Sequence, residues 1–422
     1  MTLNTDVKWF KSTNYNMPQL SNTWGCLIDT LNAVLIDGLS LPVVTSISID
    51  LETKKIITVD FEANHELDLH QVVKISGANS SALNGEFKIV AKTASSITVH
   101  SMSIIDSTSG VITCSLPSLG FEKVFSATQK AAYRSKDNNS NQLCLYVDNT
   151  CSDGAVETGA KFGKVAIVDN VSNSGELIGI QVPFDPASPS KNFNKIGNYH
   201  GWYKWVYAAG HYSYFGIQTF FINSEPSNSN KKFYIVGDAT AFLLIVYAAT
   251  TGESYVFGFG DVDDVNLLSK NTFLLSHNNY IAENSGTGRS LAYESTIGSL
   301  NIENKPKCVL YFDKSGNQNF TTLKAIPSLM TTVNDAGNMG AIMEASGKFN
   351  LLEAHALSGH YYHFPLYMLT TQNRLVGPIP FLKAIAQTIT TEGAVITETD
   401  GCGYVAIKAL DSQGYLLSLG ER

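Results

Sequence analysis

The sequence is poor in charged side chains. Of its 422 residues, 16% are Asp, Glu, Lys or Arg, against about 25% in a typical globular domain. The 29 basic residues are outnumbered by 37 acidic ones, which gives a net charge of −8. Proteins that bind nucleic acid need a field of Lys and Arg to displace counterions. The composition therefore argues against a nucleic-acid partner.

Long apolar runs are also lacking. No segment reaches the ~20 apolar residues that a membrane helix requires, and the longest run, 241–249, predicts a buried strand. The first ten residues have neither a basic nor an apolar stretch, so we predict no signal peptide. We expect no membrane partner.

Cysteine is sparse and irregularly spaced. The six cysteines form no C-x-x-C pair, and their spacing suits neither a zinc site nor a disulfide framework. We expect free, mostly buried thiols in a reducing compartment. The hydrophobic share of 44% is nevertheless enough for real cores, while the missing charge is replaced by Ser, Thr, Asn and Gly, which suit strands and loops.

Residues 1–42 are predicted to be an N-terminal arm and an amphipathic helix. Ser21 or Asn22 is the expected cap, and Gly38 the expected end. One helical face is apolar, and it comprises Leu27, Ile28, Leu31, Val34 and Leu35.

The arm carries two large aromatic residues, Trp9 and Phe10, and little else that could form a core. They need a surface in the same chain or in a neighbour, and we predict that they anchor the arm on a neighbouring subunit or another protein. Deletion of residues 1–12 should then leave a folded chain.

Residues 43–117 are predicted to form a small β module. Short runs with strict alternation of apolar and polar residues are typical of a half-buried antiparallel sheet, here a small barrel or sandwich. Phe87 and Ile75 should be core residues. Lys88 should point to the opposite face, which we interpret as a wet docking surface without a ligand of its own, so Lys88→Ala should be nearly silent.

Residues 118–422 are predicted to be a larger β-rich region, with two subdomains as one option. Modest helical patterns occur only at 350–357 and 381–387. Strands are predicted at Leu143–Asp148, Lys164–Asp169, Leu177–Val182, Lys232–Gly237, Ala241–Tyr247, Ser254–Gly258, Cys308–Phe312, Tyr404–Ala409 and Tyr415–Leu419. The fold class is therefore mainly β.

Two polar clusters could be metal sites. His355, His360 and His363 lie in a Tyr-rich stretch, but their spacing matches no metal motif, and we favour surface or interface imidazoles. Three carboxylates follow a predicted strand, without the spacing of an EF-hand, so cation binding is left open there; they belong to Asp261, Asp263 and Asp264. We assign no catalytic, cofactor-binding or metal-binding residue, and we expect no cofactor.

The densest aromatic stretch, 198–215, contains Trp202 and Trp205. Aromatic rings anchor cores and subunit interfaces, and they also stack on sugars. We favour a core or interface role for both tryptophans and keep a host surface glycan as the alternative. No nucleophile elbow, zincin motif, phosphate loop or dinucleotide turn is present, so we predict that the protein is not an enzyme. A pair of glycosidase carboxylates needs no fixed spacing, which keeps a depolymerase as the least favoured alternative.

Several segments together resemble a family of virion structural proteins of tailed bacteriophages and prophages. The resemblance covers the arm, the β module and the start of the third region, and is loose from 199 to 303. It is carried by Val7–Ser12, Met17–Leu20, Gly25–Gly38, Leu41–Ser46, His65–Ala78, Leu83–Ile89, Gly120–Ala127, Ala132–Ser135, Leu143–Asp148, Lys232–Asp238 and Gly403–Arg422.

The resemblance implies incorporation into a virion and carries over no catalytic residues. We therefore predict a non-enzymatic structural component of the tail, baseplate or neck, assembled in the host bacterial cytoplasm. Its partners would be other virion proteins and further copies of itself. A capsid decoration or vertex protein and a tail-tip receptor-binding protein are the alternatives.

Overall fold

The structure is a computed structural model. It describes residues 4–151, 155–182, 203–210, 225–248, 254–265, 270–276, 278–279, 293–294, 307–312, 317–325, 363–370, 375–385, 389, 391–397, 402–408 and 414–420.

The chain up to residue 116 holds one edge strand, the helical segments and a small sheet. In chain order, these elements are β1 (Lys8–Lys11), α1 (Cys26–Asn32), a π-helical turn (Ala33–Asp37), β2 (Leu39–Ser40), β3 (Val44–Ile49), β4 (Ile56–Phe61), β5 (Val72–Ala78), a 3-10 helix (Ser81–Leu83), β6 (Gly85–Lys92), β7 (Ser96–His100) and β8 (Gly110–Leu116).

The described remainder is all strand and loop. Its strands are β9 (Phe121–Ala127), β10 (Lys130–Ser135), β11 (Cys144–Asp148), β12 (Lys161–Val171), β13 (Leu177–Val182), β14 (Tyr203–Ala208), β15 (Phe233–Gly237), β16 (Ala241–Val246), β17 (Tyr255–Asp263), β18 (Lys270–Ser276), β19 (Asn278–Asn279), β20 (Tyr293–Glu294), β21 (Lys307–Phe312), β22 (Asn317–Ala325), β23 (His363–Thr370), β24 (Leu375–Ile385), β25 (Val395–Thr397), β26 (Gly403–Lys408) and β27 (Gly414–Ser418).

These strands form three antiparallel sheets. The small sheet has seven strands in the order β2-β8-β5-β6-β7-β4-β3, and an eight-stranded sheet is built around β9–β14. The large sheet has twelve strands and runs from β1 and β15 at one edge to β26 and β25 at the other. The prediction of a mainly β fold is confirmed.

The small sheet follows the predicted alternation. In β4, Ile57 and Val59 are fully buried, and the residues between them are half-buried. Ile75 and Phe87 belong to the same apolar core, as predicted. Leu51 does not: it lies in the turn beyond β3 and is 88% exposed. The division of the chain at residues 42 and 117 stays a prediction.

The large sheet is buried on both faces next to its β1 edge. Every residue of β15 and β16 is buried. In β16, Phe242 and Leu244 face a core shared with the helix and the small sheet, while Leu243 and Ile245 face a second core. Period-2 alternation thus places apolar side chains on both sides of one strand.

The helix prediction is confirmed for its apolar face and its end. All five predicted face residues are buried, and Gly38 ends the helical segment with a positive φ of 74°. Ala33 is buried too. The predicted caps are wrong, because Asn149 of a distant loop accepts hydrogen bonds from the Gly25 and Leu27 amides at 2.9 and 3.2 Å.

A second helix prediction is wrong where it can be compared. Residues Phe381–Ile385, predicted as helical, belong to β24. Their pairing with β23 is interrupted by a bulge between Pro365 and Tyr367, and Phe381 has a φ of 64°. The other helix candidate, 350–357, lies outside the described residues.

Candidate functional site

The arm is an integral part of the fold. β1 pairs with β15 at the edge of the large sheet, and its two aromatic residues point to opposite faces, each 1% exposed. Phe10 enters the core shared with the helix and small sheet, whereas Trp9 enters the second core. A four-residue strand therefore ties two cores together.

This placement differs from the predicted role of Trp9 and Phe10. Side chains covered by their own chain offer no surface to a neighbouring subunit. Deletion of residues 1–12 would remove the edge strand and open both cores, so the expectation of a folded truncation does not fit the structure.

A buried pair of amides joins the arm to the loop before β5. Asn14 and Gln71 are 3% and 0% exposed, and each amide donates to the other at 3.1 and 2.9 Å. Gln71 also donates to the Trp9 carbonyl at 2.9 Å, and Asn14 donates to the Glu66 carbonyl at 3.0 Å. Buried amides that are fully hydrogen-bonded fix one arrangement, because any other leaves polar atoms unsatisfied. We call Trp9, Asn14, Asp68, His70 and Gln71 the arm joint.

Two ion pairs also stabilise the arm joint. Both Lys11 and Lys92 lie 3.1 Å from the Asp68 carboxylate. Burial alone would raise the pKa of Asp68, but the two lysines outweigh it and hold that pKa below its usual range. Asp68 is therefore ionised at neutral pH and bridges the arm to β6.

The same loop reaches the far edge of the large sheet. The His70 ring is hydrogen-bonded to the Thr397 hydroxyl at 2.7 Å and packs on the Gly403 backbone, where an added Cβ would come within 2.5 Å of it. Burial, and then the nearby Lys88 charge, lower the pKa of His70 to about 4. The imidazole is consequently neutral at pH 7.

Lys88 is buried, whereas the sequence predicts that it lies on an exposed face. It points away from Phe87 as the strand alternation requires, but it is 4% exposed and donates to the Leu419 carbonyl at 2.7 Å. Burial lowers its pKa to about 8. The outer face of the small sheet is, at this position, an internal contact with the C-terminal strands.

A second buried charge cluster crosses the eight-stranded sheet. Lys130, Asp148, Lys164 and Lys204 occupy successive register positions on β10, β11, β12 and β14. The Asp148 carboxylate lies 3.1 Å from Lys130 and 3.3 Å from Lys164. Burial would raise the pKa of Asp148, but the Lys164 charge and hydrogen bonds from Thr150 keep it below its usual range.

Lys204, on β14, lies at the end of this row of charges. Burial, and then Lys164, lower its pKa to about 7, and its ammonium lies 4.3 Å from the centre of the Phe162 ring. Shifted lysines occur both in active sites and in structural ion networks. Here the row of charges connects four strands, and we interpret it as structural.

Two aromatic residues of the stretch 198–215, Trp205 and Tyr207, are internal. Trp205 is 0% exposed, stacks on Phe257 at 5.7 Å between ring centres, and donates to the Leu275 carbonyl at 3.0 Å. Tyr207 is also 0% exposed. Neither offers a ring face to a subunit or a sugar, so the interface role predicted for Trp205 does not fit. Trp202 lies outside the described residues.

The three carboxylates of the predicted cluster do not share one environment. Asp261 and Asp264 are 3% and 4% exposed; Asp261 accepts from Thr272 at 2.8 Å, and Asp264 accepts from Asn271 at 3.0 Å. Asp263 is exposed. Among the residues that the structure describes, no group of three His, Cys, Asp or Glu side chains is placed to hold a metal ion. His355 and His360 lie outside those residues, as does the side chain of His363.

Most of the thiols whose burial is described are buried. Cys26, Cys114 and Cys144 are buried, Cys402 is half-buried and Cys151 is exposed. Burial raises the pKa of Cys144 to about 11, which keeps the thiol protonated and unreactive. Within the same described part of the chain, no helix is long and apolar enough to cross a membrane.

Sequence reasoning missed the arm joint. His70 and Gln71 lie in residues 65–71, a mainly polar run in which Leu67 and Leu69 are the apolar residues. Asn14 is one of many asparagines in the arm. Nothing in the spacing indicates that two amides 57 residues apart form a buried pair.

Comparisons with known proteins add little. No family model matches the sequence, and no curated protein matches it. One solved structure, a "Phage phi92 endosialidase", is similar at 9% identity with a TM-score of 0.16. The match covers 86% of this chain and 56% of that one, so the chain spans about half of that protein's length. A likeness this weak carries no conclusion about fold or activity.

Proposed function

We propose that the protein is a structural component of a tailed-bacteriophage virion, sited in the tail, baseplate or neck, and that it acts by packing rather than by catalysis. One observation supports this most. Segments that carry the sequence resemblance, far apart along the chain, meet in a single body: Val7–Ser12 contains β1, Lys232–Asp238 contains its partner β15, and His65–Ala78 supplies Gln71.

The geometry suits a part that must keep its shape between neighbours. The arm links two cores, the amide pair fixes the loop before β5, and His70 and Lys88 hold the small sheet against the C-terminal strands. Such contacts hold the small sheet and the large sheet in one arrangement.

The glycan-binding alternative is weakened by the same geometry. It was motivated by the aromatic stretch 198–215, and the described members Trp205 and Tyr207 have no exposed ring face. The capsid and tail alternatives differ only in position within the particle, which the fold does not distinguish.

The test is to purify particles of the phage or prophage that encodes the chain. We expect the protein in the purified particles by mass spectrometry, and we expect antibody labelling in electron micrographs at the tail, baseplate or neck. Labelling of the capsid would favour the decoration alternative. Recovery of the protein only in the particle-free lysate would refute the virion role.

The non-catalytic part of the proposal has its own measurement. Purified protein incubated with host capsule or peptidoglycan should release no reducing ends above the buffer control. Turnover that is abolished by replacing one Asp or Glu would show that the protein is an enzyme.

A further inference from the structure

Exposed apolar side chains gather at one end of the small sheet. Leu51, Met102 and Ile104 are 88%, 64% and 61% exposed. Two backbone hydrogen bonds hold residues 101–105 along the turn between β3 and β4, from the Ser101 amide to the Lys55 carbonyl at 2.8 Å and from the Ile105 amide to the Lys54 carbonyl at 2.9 Å. We call residues 50–55 and 100–105 the hairpin end.

The turn that carries Leu51 is preorganised. The Asp50 carboxylate accepts from both the amide and the hydroxyl of Thr53 at 2.8 Å, and the Asp50 carbonyl accepts from the Lys54 amide at 2.9 Å. An Asx-type turn of this kind holds its backbone without help from a core. Leu51 is therefore presented to solvent by a fixed scaffold, which lowers the entropic cost of burying it in a contact.

Two copies of the turn carry complementary charges when they meet in opposite directions. The sequence Asp50-Leu-Glu-Thr-Lys-Lys55 has an acidic first half and a basic second half. A two-fold axis places the same patch on both partners, in opposite directions. It would set Glu52 of one copy against Lys55 of the other, twice, with the Leu51 side chains between them.

A groove of about 860 Å³ adjoins the turn. Its lining combines apolar groups, including Ile56, Val90 and Met102, with the exposed Lys55. Its acidic side chain, Glu86, is already paired with Lys8 at 3.1 Å. The groove thus has apolar surface and a basic rim, and it suits an apolar residue flanked by acids, such as Leu51 between Asp50 and Glu52.

We propose that the hairpin end is a two-fold self-association surface, in which the Leu51 turn of each copy enters the groove of the other. The proposal deepens the proposed function by naming one subunit contact. It is tested on purified protein, so the dimer and the virion role can fail independently.

The full chain should be a dimer in sedimentation velocity at micromolar concentration. Glu52→Lys alone and Lys55→Glu alone should each raise the dimer dissociation constant by about tenfold or more, because each places like charges together twice. An equimolar mixture of the two variants should restore the dimer, since every contact then pairs a lysine with a glutamate. The double variant should likewise behave as the parent does.

Leu51→Ser should weaken the dimer without changing the thermal melting of the chain. The matched control is Val265→Ser, which alters an apolar residue that is 57% exposed on the large sheet and should leave the dimer intact. A parent chain that stays monomeric at tens of micromolar would overturn the proposal. So would single variants that dimerise as well as the parent, or a mixture that fails to restore the dimer.

Discussion

The small sheet and the large sheet use the same strand geometry in opposite ways. The small sheet, residues 39–116, buries one face and leaves Val43, Leu51, Met102, Ile104 and Val111 exposed. The large sheet buries both faces of β15 and β16, and Val265 is an exposed large apolar residue at its margin.

The two sheets differ in how much they contribute to the stability of the fold and in how much surface they leave for contacts. A strand buried on both faces contributes about twice the apolar area per residue, so the strands of the large sheet that are buried on both faces should contribute most to the free energy of unfolding. A sheet that buries only one face leaves the other face available for contacts. In this protein that face is used twice, by Lys88 against the C-terminal strands and, in our proposal, by the hairpin end against a second copy.

The largest expected effect compares one core residue from each sheet. Phe273→Ala removes a fully buried ring of β18 in the large sheet from the second core, and we expect a loss of about 3–5 kcal/mol in the free energy of unfolding. Phe87→Ala should cost less, because Phe87 is 8% exposed and lines the groove, where water can fill the space.

Urea unfolding of the two variants beside the parent measures the difference. Val265→Ala is the control for an exposed apolar residue and should be nearly silent. A larger loss for Phe87→Ala than for Phe273→Ala would mean that the small sheet, and not the large one, holds the dominant core.

How much the sequence predicts also differs between the sheets. In the small sheet, alternation identified all six main strands and placed Ile75 and Phe87 correctly, because a half-buried strand shows its two faces in its composition. The apolar run that became β16 was recognised for another reason: its length and flanking turn residues fit a strand buried on both faces.

The failures have a common cause. The helix cap, the amide pair and Lys88 all depend on partners more than 50 residues away, and local spacing carries no information about such partners. Trp9 and Phe10 were recognised as residues that need a surface, but whether that surface belongs to the same chain depends on the pairing of β1 with β15.

The second prediction tests the contact between the two sheets. Lys88→Ala should lower the free energy of unfolding by about 1–3 kcal/mol, since the Leu419 carbonyl loses its buried donor. Lys88→Met should cost less, because it fills the space and removes a buried charge. Lys74→Ala, an exposed lysine on the neighbouring β5, is the matched control. Equal melting of the Lys88→Ala and Lys74→Ala proteins would show that this contact does not hold the sheets together.

The smallest expected effect is a loss of stability on acidification, and the lowered pKa of His70 sets its sign. The pKa of the folded imidazole is lowered to about 4 from the usual 6.5, so between pH 7 and 5 the unfolded chain binds a proton that the folded chain does not. Stability therefore falls as the pH falls through this range. Allowing for partial solvent access, we expect His70 to account for a loss on the order of 1 kcal/mol.

The groups that face His70 do not reverse this sign. Asp68, whose pKa lies below its usual range, stays ionised, and Lys88, with a pKa of about 8, stays almost fully protonated between pH 7 and 5. His65 has a lowered pKa as well, so it adds a loss in the same direction. Urea unfolding at pH 7 and 5 should show a smaller difference for His70→Gln than for the parent, with the remainder due to His65 and other groups. An unchanged difference in His70→Gln would mean that the imidazole is not held neutral between Thr397 and Gly403, and that the small sheet meets the edge of the large sheet less tightly than its other contacts indicate.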